Sequence, residues 1–345
     1  MDAFGYDDFV IETYAYARAG LLGNPSDGYY GKTIAFLVRN FRARVLVYPS
    51  ARLEIKPGKA DMPVFEGLDD LYSTIRWRGY YGGIRIIQAI IIRFVDYCRQ
   101  HGIEIEERNF TLEYESTVPL RLGMGGSSAI ITAALRALCQ YYKVDLDPAI
   151  QARLVLEAET HELGVAAGPQ DRVIQSYEGL VYMNFRRDLM DSRGYGEYER
   201  LDPQLLPTLY LAYRTSLSEG TEVFHSNIRE RWRRGDAEVV DAMFTWGSYA
   251  QQGREALLKG DYQTLDHLIN SNFDLRAKVY QIGEGNMEMI RLARSVGASA
   301  NFAGSGGAIT GSYRGEEMYR KLVEVMAPHN IAVIRPKIVP SGALS

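Results

Sequence analysis

Two glycine-rich turns, two acidic residues and one arginine hold most of the chemistry this chain can perform. Pro119–Ala129 reads PLRLGMGGSSA, with Gly123, Gly125 and Gly126 set around Met124 and followed by Ser127 and Ser128. Glycines let a backbone approach a ligand closely and turn its N–H groups inward. A helix opening near Ser128 adds unpaired N–H groups and the positive end of its dipole. Such a loop suits polyphosphate, with one hydroxyl for a phosphate and one for a metal ion that the phosphate carries. The plainer reading is a tight turn with a serine cap, and the pattern is neither GxGxxG nor a P-loop ending in GKS or GKT. Downstream, EAETHELGVAAGPQD spans Glu157–Asp171. Glu159 offers a hard oxygen of the kind Mg²⁺ prefers. Asp171, after Gly168 and Pro169, can accept a hydroxyl proton or simply cap a helix. Upstream, RAGLLGNPSDGYYGK begins at Arg18, which can pair with a catalytic carboxylate or a phosphate. Asn24, Ser26 and Asp27 can hydrogen-bond a polyhydroxylated ligand or close an Asx-type turn on themselves. FAGSGGAITG, Phe302–Gly311, repeats the glycine theme with Gly304, Ser305, Gly306 and Gly307.

Periodicity supplies the elements that must position these residues. Val10–Ala19, Ile34–Pro49, Leu53–Ile55 and Phe110–Val118 read as strands, the first running into a turn-rich loop at Gly20–Lys32. Ile84, Ile87, Ile91, Phe94 and Val95 recur on a helical period within Gly82–His101. Helices follow at Ser128–Tyr142 and Pro148–Glu162, then a strand at Gly179–Phe185. The polar stretch Asp188–Pro207 marks a domain boundary, giving domains 1–195 and 196–345. The second half predicts a strand at Leu209–Arg214 and helices near Val223–Arg234, Ala237–Lys259, Tyr262–Tyr280 and Asn286–Val296. It closes with a strand at Ile309–Tyr313, a helix at Glu316–Met326 and a strand at Ile331–Pro336, the last able to return towards the first domain. Strands and helices mix throughout, with hairpin-like strands early, which predicts an α+β fold with mixed or antiparallel sheets.

The bulk numbers narrow the partners. The 345 residues exceed what one core usually supports. A net charge of −4, with 46% hydrophobic and 24% charged residues, describes an ordinary globular protein without a nucleic-acid footprint. The basic run at Arg229–Arg234 reads as a solvated helix face. Cys98 and Cys139 form no CxxC pair, and the five histidines are not spaced as zinc ligands. Ile84–Val95 is interrupted by Arg85, Gln88 and Arg93, so no membrane span is expected. The chain reads as cytoplasmic, with a small-molecule ligand.

In this order and at these separations, the four elements resemble the GHMP small-molecule kinase family over Arg18 to Gly311. Its first motif, Arg-x-x-Leu-x-Gly-(Glu/Asn)-x-x-Asp, is matched by Arg18, Leu21, Gly23, Asn24 and Asp27. Its phosphate-loop motif is matched by Pro119, Gly123, Ser127, Ser128 and Ala129, with Met124 where Leu is usual. Glu159, Asp171 and Gly304–Gly307 match the remaining positions. The resemblance implies a two-domain fold with the active site in the cleft between an ATP-binding domain and a C-terminal domain. It implies ATP along Pro119–Ser128, Mg²⁺ on Ser128 and Glu159, Asp171 as base and Arg18 as its orienting partner. Asn24, Ser26, Asp27, Arg172, Gly304, Ser305 and Gly306 would meet the acceptor. Within the family, GLLGNPSD, GYYGG, GSSAI, GPQDRV, NFDLR and FAGSGGA resemble members that phosphorylate the anomeric hydroxyl of glucuronic acid. Asn24 in place of Glu and Arg172 in place of Gln argue against galactose. Arg172 and Arg276 are candidates for a uronate carboxylate, and Tyr80 or Tyr81 for the adenine. Another sugar, sugar acid or mevalonate-type alcohol remains an alternative acceptor, and a non-catalytic sugar- and nucleotide-binding sensor an alternative role.

Overall fold

Tyr, Thr, Ile and Ala favour or tolerate extended backbone, and nothing in the first segment forces a turn before Gly23, whose φ of 86° ends it. In the computed structural model, which describes residues 9–58, 82–120, 122–214 and 222–338, strand β1 therefore spans Ile11–Leu22. Gly20, Leu21 and Leu22 belong to this strand and not to the expected loop. After a cis Asn24–Pro25 bond and a 3₁₀ turn at Ser26–Tyr29, the chain enters the long strand β2, Lys32–Pro49. Tyr80 and Tyr81 lie outside the described residues.

The chain forms two compact units that interleave along the sequence. The described residues of the first are 9–16, 41–58, 82–118 and 126–167. Those of the second are 17–40, 119–120, 122–125, 168–214 and 222–338. The boundary expected between residues 195 and 196 falls inside the second unit.

In the first unit, strand β3 (Glu54–Ile55) pairs in parallel with β4 (Phe110–Ser116). The later half of β2 runs antiparallel to β4, with Val45 opposite Tyr114 and Val47 opposite Leu112. Helix α1, Gly83–Gln100, buries Ile86, Ile87, Ile90, Phe94 and Cys98, one apolar face at helical spacing. Helix α2, Gly126–Tyr142, is Ala-rich and buried on most sides. Thr13 Oγ1 donates to the Ala133 carbonyl of α2 at 2.7 Å, tying the start of β1 to it. Helix α3, Pro148–Glu157, passes into a π-helical turn at Ala158–Glu162 where one continuous helix was expected. Such turns often mark functional positions, and this one carries Glu159.

In the second unit, helix α4 (Gln170–Tyr177) leads to β5 (Leu180–Asn184), which lies between the first half of β2 and β6 (Glu197–Leu201), antiparallel to both. Helix α5, Arg187–Arg193, connects β5 to β6. The polar composition of this stretch, which in the sequence reads as a boundary, is that of an exposed helix and an edge strand. Strands β7 (Leu209–Arg214), β8 (Asn301–Phe302), β9 (Ala308–Ser312) and β10 (Ile331–Ile334) make an antiparallel sheet in the order β10-β7-β9-β8. Tyr210, Phe273, Met289, Phe302, Ile309 and Leu322 centre its core. The helices here are α6 (Glu222–Arg233), α7 (Ala237–Lys259), α8 (Tyr262–Val279), α9 (Glu284–Ser295) and α10 (Gly315–Met326). The Asp236 and Asp261 side chains accept from Val239 N and Thr264 N and cap α7 and α8, each worth about 1 kcal/mol. No helix among the described residues is long and apolar enough to cross a membrane.

Candidate active site

Arg18, 5% exposed near the end of β1, organises the site in the second unit. Its Nε and Nη2 donate to the two oxygens of Asp171, each at 2.7 Å. Its Nη1 donates to the carbonyls of Gly123 and of Ala303, the latter at 2.8 Å. One guanidinium thus joins the proposed base, the first glycine loop and the second. The planar fork of Arg matches a carboxylate in this bidentate way, and Lys would not. Asp171 sits in the first turn of α4, with Pro169 as the cap residue, so the cap role weighed from the sequence is not its own. Burial acts to raise the Asp171 carboxyl, but the charges of Arg18 and then Arg172 and the Arg18 hydrogen bonds hold it below the ordinary carboxylate value. It is an ionised acceptor throughout the physiological range.

Asp27 completes a second carboxylate position. Its Oδ2 accepts from Gln170 N at 3.2 Å, at the start of α4, where the dipole favours negative charge. Burial first, and then the charge of Asp171, push its carboxyl up to about 6. Arg172 donates to the Gly168 carbonyl at 2.8 Å and lies 3.6 Å from Asp171 Oδ2.

The glycine loops are built against each other. Gly123 has φ +60°, and a Cβ there would lie 2.7 Å from Ser305 N. A Cβ on Gly304 would lie 1.9 Å from the Gly123 carbonyl. Only glycine admits this approach. The carbonyls of Gly123, Met124 and Gly125 accept from Arg18 Nη1, Arg18 N and Gln175 Nε2. The oxygen edge of the loop, which would repel a phosphate, is therefore held by donors. Met124 is buried as the loop's apolar anchor, and Pro119 is half-buried before it. Gly306 has φ +140°, and Gly307 N donates to Asn286 Oδ1 at 2.9 Å.

In the first unit, α2 starts at Gly126, and the Ser127 hydroxyl donates to Glu159 Oε1 at 2.7 Å. Ser127 thus joins Glu159, and Ser128 beside it is fully buried in the same turn. A hydroxyl beside a carboxylate is a donor set that suits Mg²⁺. Among the described residues no group of three or more His, Cys, Asp or Glu could hold a metal ion, so a cation on Glu159 would draw its other ligands from phosphate and water.

Two residues expected to meet an acceptor are engaged inside the protein. Asn24, 3% exposed, donates to the Phe302 carbonyl at 3.0 Å and accepts from Asn301 Nδ2 at 3.2 Å. Ser26 is fully buried and donates to the Lys32 carbonyl at 3.1 Å. Asn272 and Asn301 were not singled out from the sequence for any role at the site. Asn272 Oδ1 accepts from Gly23 N at 2.8 Å, and its Nδ2 donates to the Asn24 carbonyl at 3.1 Å. This buried amide network fixes the turn that follows β1. In the sequence Asn272 opens the NFDLR segment and Asn301 stands just before FAGSGGA.

Fold and site together define a small-molecule kinase of the GHMP type. Residues 88–179 match the model for the GHMP kinases N terminal domain, and the chain belongs to the GHMP kinase family. It is 43% identical to probable glucuronokinase 2 of Arabidopsis thaliana over 345 residues, 98% of this chain and 94% of that protein. Glucuronokinase 1 of the same plant is 44% identical over 306 residues, 87% and 84% of the two chains. The fold is shared with Lactococcus lactis galactokinase, solved with galactose, at a TM-score of 0.77 and 14% identity over 98% and 95% of the chains.

Proposed function

We propose that this protein transfers the γ-phosphoryl group of ATP to the anomeric hydroxyl of a sugar acid, D-glucuronate, giving glucuronate 1-phosphate. The bidentate Arg18–Asp171 pair, held on both glycine loops, is the observation that carries this reading. The similarity to proteins named glucuronokinase supports the choice of acceptor. In this reading the loop Pro119–Ser128 cradles the triphosphate of ATP, with its carbonyl edge turned to the protein's own donors. Glu159 with the Ser127 and Ser128 hydroxyls would hold Mg²⁺, which neutralises charge on the β- and γ-phosphates when bound. Asp171 takes the proton of the attacking hydroxyl. A carboxylate held below its ordinary value is a weak base, so the proton leaves as the new P–O bond forms and not before it. Arg18 aims that carboxylate and adds positive charge near the transferring group. Asp27, Ser305 and Gly306 border the acceptor. Free Cys98 and Cys139 and the use of ATP accord with a cytoplasmic location, which belongs to the same proposal.

A coupled ADP-release assay over glucuronate, galacturonate, glucose, galactose and mevalonate tests the acceptor. Glucuronate is expected to give the highest kcat/KM, and a preference for mevalonate or a neutral hexose would overturn the assignment. Asp171→Asn is expected to lower kcat by about 100- to 10,000-fold while the Kd for ATP stays within about threefold. Near-normal turnover would remove Asp171 from the role of base.

A further inference from the structure

Arg276 stands in the last turn of α8 and is 2% exposed. Buried guanidinium groups ordinarily face a carboxylate, because an unpaired buried charge is costly. Among the described residues Arg276 makes no ion pair; the charge of Asp27 reaches it only from further off, and its hydrogen bond runs from Nη1 to the Gly304 carbonyl at 2.9 Å. Its guanidinium lies 5.0 Å from the Phe302 ring centroid and 5.1 Å from that of Tyr280. Tyr280 is itself 6% exposed, and its hydroxyl is buried with no hydrogen-bond partner among the described residues. A buried tyrosine hydroxyl usually finds one. Two buried donors, one of them a cation, thus share a corner in which neither touches a carboxylate among the described residues. That corner adjoins the chemistry, since Arg276 holds the carbonyl of Gly304 and Arg18 holds that of Ala303, the preceding residue. Arg172, the other arginine considered from the sequence, is already engaged with Gly168 and Asp171.

We propose that Arg276 and the Tyr280 hydroxyl bind the carboxylate of the sugar acid, and that this contact sets the preference for a uronate over a neutral hexose. The inference rests on the sugar-acid reading above and assigns its specificity to one place. A carboxylate satisfies the charge of the guanidinium and the donor of the phenol together, and neither a hydroxymethyl nor a methyl group can do so.

Steady-state ADP release with glucuronate and with glucose, for the wild type and for Arg276→Gln, Arg276→Lys and Tyr280→Phe, decides it. Arg276→Gln is expected to raise the glucuronate KM by about 10- to 100-fold, the size of a lost charge-assisted hydrogen bond, with the ATP KM within about threefold. The ratio of kcat/KM for glucuronate over glucose falls by the same factor, and Arg276→Lys restores part of it. Tyr280→Phe raises the glucuronate KM several-fold without lowering Tm, because no protein partner loses a bond. If Arg276→Gln does not fold, Arg276→Lys and Tyr280→Phe carry the test. An unchanged glucuronate KM in those two, or equal losses on glucuronate and glucose, overturns the role of this corner. A wild type that does not phosphorylate glucuronate overturns the acceptor assignment instead, a separate and distinguishable result.

Discussion

Asp27 and Asp171 are carboxylates that the second unit drives in opposite directions. Asp171 is held below the ordinary value by Arg18 and Arg172 against its burial, while burial and the charge of Asp171 push Asp27 up from 3.8 to about 6. Because the folded value of Asp27 lies above its unfolded one, ionising it costs the folded state free energy. The cost is absent below about pH 4, grows between there and about pH 6, and is complete above it. Asp27→Asn is neutral at every pH. It is expected to raise Tm at pH 8, through a gain in stability of at most about 3 kcal/mol, with the gain shrinking through pH 6 and gone near pH 4. Thermal melts at those three pH values check this, and a gain independent of pH would contradict it. Glu159 makes a different prediction through its pairing with Ser127. Glu159→Gln should raise the Mg²⁺ concentration for half-activity by about tenfold or more, and an unchanged Mg²⁺ titration would count against the ligand role.

At the scale of elements, the contact between the glycine loops is the most demanding feature. Gly304→Ala drives a methyl group to within 1.9 Å of the Gly123 carbonyl, a backbone atom that cannot swing aside. The substitution is expected to cost about 1–3 kcal/mol of stability and most of the activity, read by urea unfolding and ADP release. Gly306→Ala, at φ +140°, tests the same loop through backbone strain. Glycine loops and alternating strands were legible in the sequence because turn chemistry and periodicity are local. The strand Leu209–Arg214 and the helices at Ala237–Lys259 and Glu316–Met326 match their expected positions almost residue for residue. What was not legible depends on phase or on distant partners. The bond from Ser127 to Glu159, 32 residues on, depends on the start of α2 at Gly126 and on the π-helical turn at Ala158–Glu162. Asn24 reads as a ligand-facing turn residue until Asn301 and Phe302 take both ends of its amide. Helix α5 and strand β6 were missed because an edge strand and an exposed helix share the composition of a linker.

For the whole molecule, the units interleave along the sequence, and the expected cut at 195/196 lies within the second of them. Residues 17–40 are bonded to the far half of the chain through Gly20 to Ala303, Gly23 to Asn272 and Arg39 to Lys337. A fragment of residues 1–195 lacks every one of these partners. It is expected to show low near-UV ellipticity and rapid proteolysis of residues 17–40, and a cooperative melt of that fragment would contradict this. The same arrangement bears on how the protein is made. Synthesis proceeds from the N-terminus, and segments fold as their partners leave the ribosome. The residues of the first unit are complete once Ala167 has emerged. Arg18 gains Asp171 soon afterwards, but it waits for Ala303 until more than a hundred further residues have been translated. A nascent chain halted between these two points holds both members of the Arg18–Asp171 pair but lacks the second glycine loop that fixes residues 17–40, so stalled or truncated products are expected to be catalytically silent.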